Sequence, residues 1–135
     1  MSQYKNLEWQ YPGLSDVGSY QMSAIPFATG NVPVVASGTT TTVVSFPNVT
    51  KFVTVVNETT GTNSALRVGF SSNGVKGTNY FILDNGESFT GDWRITAIYL
   101  MGNAATTCTA SVIAGVTNIQ VTELPANWSG SNGVG

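Results

Sequence analysis

Between Ala65 and Gly115 short apolar runs follow one another, separated by Gly, Asn and Asp. Leu66, Val68 and Phe70 alternate with Arg67, Gly69 and Ser71, the period of two expected of a half-buried strand. Ser72-Asn73-Gly74 reads as a turn, since Asn and Gly tolerate the backbone angles tight turns need. Tyr80 to Leu83 reads as a second strand, and Asp84-Asn85-Gly86 as a second turn. In a third strand Ile95, Ala97, Tyr99 and Met101 share one face and Thr96, Ile98 and Leu100 the other, and Cys108 to Ala114 makes a fourth. Upstream, Val32 to Ala36 is a short strand whose Pro33 suits an edge. Thr39 to Phe46 is rich in β-branched residues, which fit a pleated surface, and Pro47-Asn48 turns the chain. Lys51 to Asn57 sets Phe52, Thr54 and Val56 against Val53 and Val55, and residues 59 to 64 form a polar loop. No twelve-residue stretch keeps apolar positions at i, i+3, i+4 and i+7, so no helix is expected.

About eight antiparallel strands, counted from Val32 to Val116, predict an all-β sandwich of jelly-roll or related Greek-key type. An immunoglobulin-like sandwich is the alternative, but the paired cysteines of antibody domains are missing. The sandwich domain is placed at residues 32–120. Residues 1–31 read differently, as an irregular arm in which Pro12 and Pro26 interrupt any period and Tyr4, Trp9, Tyr11, Tyr20 and Phe27 supply rings. Such rings need a surface to lie on, either the arm's own sandwich or a neighbouring subunit. Trp9, Tyr11, Tyr20 and Phe27 are therefore the candidate partner contacts. Residues 121–135 form a C-terminal tail, Gly- and Ser-rich from Ser129 onward, with Trp128 before it as an anchor or a cover for a core edge.

Composition narrows the partners. Charged residues are 9% of the 135-residue chain, against about 25% in an ordinary soluble domain. The surface must then be built from Ser, Thr, Asn and Gly, which gives weak colloidal repulsion and suits a protein packed against neighbours. The net charge is −2, and the five basic residues (Lys5, Lys51, Arg67, Lys76, Arg94) are scattered rather than clustered, which argues against nucleic acid. Neither a long apolar run nor a basic amphipathic helix is present, so no membrane association is expected. The first ten residues lack the apolar core and cleavage site of a signal peptide, and export by that route is not expected. Cys108 is the single cysteine and reads as a small buried hydrophobe.

The chain contains no His, which removes the commonest general base and neutral metal ligand. No nucleophile–His pair, zinc set, phosphate-binding loop or dinucleotide fingerprint can be assembled, and no enzyme activity or cofactor is expected. Asp84, Glu87 and Asp92 lie close in sequence, as a pair of glycosidase carboxylates or Ca²⁺ ligands would, but in turn-forming contexts without EF-hand spacing. Asn48, Asn57 and Asn127 each open an N-x-Ser/Thr pattern, expected by chance in so Asn- and Thr-rich a chain. Trp93, Tyr80, Tyr99 and Trp128 are the rings that could serve as sugar platforms. A glycan-binding module used in host attachment is the alternative function they suggest.

Three stretches carry a more specific likeness. DVGSYQMSAIPFATG (Asp16 to Gly30), VGFSSNGVKGTNYFILDNGESF (Val68 to Phe89) followed by WRITAIYLMG, and SVIAGVTNI (Ser111 to Ile119) together resemble small virion structural proteins of tailed bacteriophages and some large aquatic viruses. The likeness runs from about Asp16 to Ile119 and marks a scaffold, not a reaction centre. It implies a jelly-roll-like, non-enzymatic protein in the virion, assembled in the host cell cytoplasm. Such a protein decorates or cements a capsid or sits at a vertex, with the major capsid protein or other virion subunits as partners. It also implies a symmetric homo-oligomer: a trimer, which matches the local three-fold axes of an icosahedral shell, is favoured over a pentamer, which matches a vertex. Multivalent docking of that kind turns modest contacts into firm attachment.

Overall fold

The computed structural model describes residues 23–61 and 64–124. The described chain forms eight strands: β1 (Ile25–Val34), β2 (Thr42–Ser45), β3 (Asn48–Asn57), β4 (Leu66–Gly69), β5 (Phe81–Leu83), β6 (Ser88–Gly91), β7 (Ala97–Gly102) and β8 (Cys108–Gln120). A short helix, α1 (Ser72–Lys76), sits between β4 and β5, and a single 3-10 turn (Val121–Glu123) follows β8.

Pairing follows one rule. β1 pairs with β8, β2 with β7, β3 with β6 and β4 with β5, all antiparallel, as in one long hairpin folded at the β4–β5 connection. Rolling that hairpin brings β8 against β3 and β7 against β4. The result is two four-stranded sheets, β1-β8-β3-β6 (sheet A) and β2-β7-β4-β5 (sheet B). This is the jelly-roll arrangement, an all-β antiparallel sandwich as the alternation predicts.

Alternation sets what lies between the sheets. Val53 and Val55 of β3 and Ala110, Val112, Ala114 and Val116 of β8 face Leu66, Val68, Ile98 and Leu100 of sheet B, and all are buried. Where the ladder is irregular, hydroxyls take over. β3 shifts register on both sides of Thr50, whose buried Oγ1 donates to the Trp93 carbonyl at 2.6 Å and accepts from the Ile95 amide at 3.0 Å. Thr117 Oγ1 likewise donates to the Val49 carbonyl (2.7 Å) and accepts from the Ile119 amide (3.1 Å). Buried backbone groups freed by a bulge thereby keep their partners.

Three local expectations change. β1 starts at Ile25, inside the stretch assigned to the irregular arm, and carries both Pro26 and Pro33. The prolines are tolerated because β1 pairs only with β8, leaving its other side free of ladder bonds; a register shift between Thr29 and Val32, with Asn31 at φ 52°, bends it further. Ser72 to Lys76 forms α1 where a simple turn is expected. Ser71 caps it by accepting the Gly74 amide at 2.9 Å, and Val75 is buried beneath it. β8 continues six residues beyond Ala114, to Gln120.

Candidate interaction surface

Of the four candidate contact residues, Trp9, Tyr11 and Tyr20 lie outside the described residues, as does Trp128. Phe27 is in β1, opposite Ala114 of β8, and its ring meets Phe46 edge-on at 5.2 Å. It packs against the sandwich core of its own chain.

The carboxylates serve the turn between β5 and β6. Glu87 Oε1 accepts the Asp84 amide at 2.7 Å, the Glu87 amide donates to the Asp84 carbonyl at 2.9 Å, and Gly86 takes the left-handed backbone (φ 81°). Asp92 lies past the far end of β6, and all three acids are exposed. Among the described residues no group of three or more His, Cys, Asp or Glu is gathered as a metal site would require. Cys108 is buried, with its Sγ 3.5 Å from the Ala65 carbonyl. No described helix is long and apolar enough to cross a membrane.

Two of the N-x-Ser/Thr asparagines are structural. Asn57 is 0% exposed, and its Nδ2 donates to the Ser64 and Leu83 carbonyls (2.7 and 2.9 Å) while Oδ1 accepts the Thr59 amide (3.0 Å). Asn48 Nδ2 donates to the Thr117 carbonyl at 2.7 Å.

Two of the rings considered as sugar platforms, Trp93 and Tyr80, are engaged as well. Trp93 stacks on Phe89 (centroids 5.7 Å apart, planes 15° apart) and meets Phe70 edge-on at 4.8 Å. The Gly91 backbone lies so close to the indole that a Cβ there would collide with it. Phe81 completes the group, which closes the margin where the edge strands β5 and β6 meet. The Tyr80 ring lies under the Arg67 guanidinium at 4.5 Å.

The two outer faces of the sandwich differ. On sheet B, α1 lies over β4 and β7. Arg67 Nη1 donates to the Val75 carbonyl at 3.2 Å and lies 3.8 Å from the Met101 sulfur, and Met101 is fully buried despite its outward register. On sheet A, the outward residues stay half-buried or exposed except Gly115, which lies beneath the Phe52 ring and Ala24. One row crosses all four strands: Ala28, Ile113, Thr54 and Thr90 are successive cross-strand partners. Pro26, Gly115 and Phe52 form the row on one side of it, and Ser111, Val56 and Ser88 lie on the other. Lys51, at the β3 bulge, is the one charged residue in the four strands.

No protein family matches the chain, and no curated protein matches it in sequence.

The outer face of sheet A is therefore the candidate site. Thr54 and Thr90 hydroxyls bond each other at 2.7 Å, and Ser111 Oγ donates to a Glu58 carboxylate oxygen. These polar atoms are paired within the face, which lowers the cost of excluding water from it. Composition announces a low-charge surface, but only the pairing of distant strands shows where its apolar part gathers.

Proposed function

We propose that this chain is a non-enzymatic virion structural protein, displayed on or cementing a viral capsid as a symmetric oligomer, in particles assembled in the host cell cytoplasm. The observation that carries the reading is the sparsely charged outer face of sheet A on a jelly-roll sandwich, whose four strands hold one charged residue, Lys51. A subunit held by repeated flat contacts needs shape and dryness more than charge. Interfaces are set apart by depletion of charge at their centres, and the row through Ile113 and Thr54 has that character. The jelly roll is an architecture that capsid and lectin domains share, so the fold is compatible with the reading without selecting it. The sequence likeness to small virion proteins supports the viral choice. The packing of Trp93 against Phe89 and Phe70 gives that ring a structural role, which supports the virion reading over a sugar platform at that residue.

The test is immunogold labelling of virus particles enriched from the source of the sequence, using antibodies against the purified protein. Gold at regular positions on intact capsids is the expected result. Particles free of label, with the protein recovered only in unassembled fractions, would overturn the reading.

A further inference from the structure

We infer that the outer face of sheet A is a homotypic interface, on which a second copy of this chain seats the same face about a two-fold axis. The inference uses the face that also supports the virion reading but does not require that reading; it rests on the extent and chemistry of the face.

Its extent comes first. Three strands of about ten residues and one of four, at about 3.3 Å per residue and 4.8 Å between strands, project roughly 550 Å². Two such faces remove roughly 1,100 Å² before side-chain relief is counted, which reaches the range of about 1,000–1,200 Å² where specific interfaces begin. Sheets pack face to face in this way inside sandwiches, about 10 Å apart and within about 30° of parallel, so the contact needs no rearrangement of either copy.

Chemistry selects a second copy as the occupant. An isologous contact sets every residue of a patch near residues of the same patch, so charged side chains would meet their own sign. The register positions of this face hold Pro26, Ala28, Phe52, Val56 and Ile113 among hydroxyls, and charge is limited to Lys51 at the β3 bulge and Glu58, bonded to Ser111, past the other end of that strand. Each chain carries only −2 overall, and a face this sparsely charged adds little like-charge repulsion when two copies meet through it. The Thr54–Thr90 pair enters the contact with its hydrogen bond already made, and Ile113, 43% exposed near the centre, is the apolar knob. Glu58, just past the end of β3, stays at the rim.

Sedimentation velocity of the full chain over a wide concentration range tests this. The expected result is a mass approaching 28.4 kDa (2 × 14.2). Ile113→Lys should weaken association roughly tenfold or more, because like charges brought together across an interface are strongly disfavoured. Thr54→Lys, on the neighbouring strand, should do the same and carries the test if the first variant folds poorly. Val43→Lys, at an equally exposed site on sheet B, should leave the dimer intact. A wild-type chain at 14.2 kDa throughout, a closed trimer near 42.6 kDa (3 × 14.2), or a dimer indifferent to both sheet A substitutions would overturn the inference. None of these outcomes alters the particle-labelling result, so the two readings fail separately.

Discussion

Replacing Asn57 by Ala should be among the most damaging single changes in the sandwich. The side chain ties the end of β3 to the Ser64 carbonyl, to the last residue of β5 and to the start of the following loop, through three hydrogen bonds of 2.7 to 3.0 Å. Ala removes all three and leaves two carbonyls and one amide without these partners in a region closed to solvent. Each orphaned buried group costs about 1–3 kcal/mol, and local opening that admits water would hold the total near 3 kcal/mol. That is a large share of the roughly 5–15 kcal/mol available to a domain. With an unfolding entropy of about 2.1 cal/mol/K per residue over 135 residues, it corresponds to a fall in Tm of about 10 °C. Urea unfolding followed by Trp fluorescence, with calorimetry on the same samples, measures it. Asn57→Asp keeps the acceptor for Thr59 but points a carboxylate at two carbonyls, so it should be no better than Ala at neutral pH. If Asn57→Ala lowers Tm by less than about 2 °C, the amide is not the tie its geometry indicates.

Three further substitutions probe other joints. Gly91→Ala drives a methyl into the Trp93 ring and should cost about 1–3 kcal/mol, with a shift in Trp emission that a remote Gly→Ala change would not produce. Thr50→Val keeps the shape but loses the hydroxyl joining the β3 bulge to the Trp93 carbonyl and Ile95 amide; a loss of about 1–3 kcal/mol in urea unfolding is expected. Phe27→Ala should lower stability by about 2 kcal/mol, less than a fully buried Phe because the ring is half-buried. A Phe27→Ala protein of unchanged Tm that no longer joined particles would return that residue to a docking role.

Much of the inner packing was readable from alternation alone. Val53 and Val55 against Phe52, Thr54 and Val56, and Ile98 and Leu100 against Tyr99, fall on the faces their spacing predicts, because one side of each strand is dry. β6 escapes notice because its four residues, Ser88 to Gly91, are short and mostly exposed, leaving no alternation to detect. α1 has only five residues, too few for a helical period, and its signal is the capping Ser71. Met101 shows a different limit: alternation assigns it to the outer face, while it is buried where α1 lies over β7 and Arg67 reaches its sulfur. The candidate face is hidden for the same reason. Ala28, Thr54, Thr90 and Ile113 are far apart in the chain, and only the wrapping of the hairpin sets them side by side.

That wrapping also fixes an order of events during synthesis. β8 stands between β1 and β3, so before it leaves the ribosome β1 has no strand beside it and sheet A can be no more than the β3–β6 pair. Sheet B waits in the same way for β7, which separates β2 from β4. Only the β4–β5 and β3–β6 pairings can form early, and their flanks remain open edges of low charge. Until the chain is made through Gln120, sheet A cannot be complete, and its outer face exists only once β8 has joined β1 to β3.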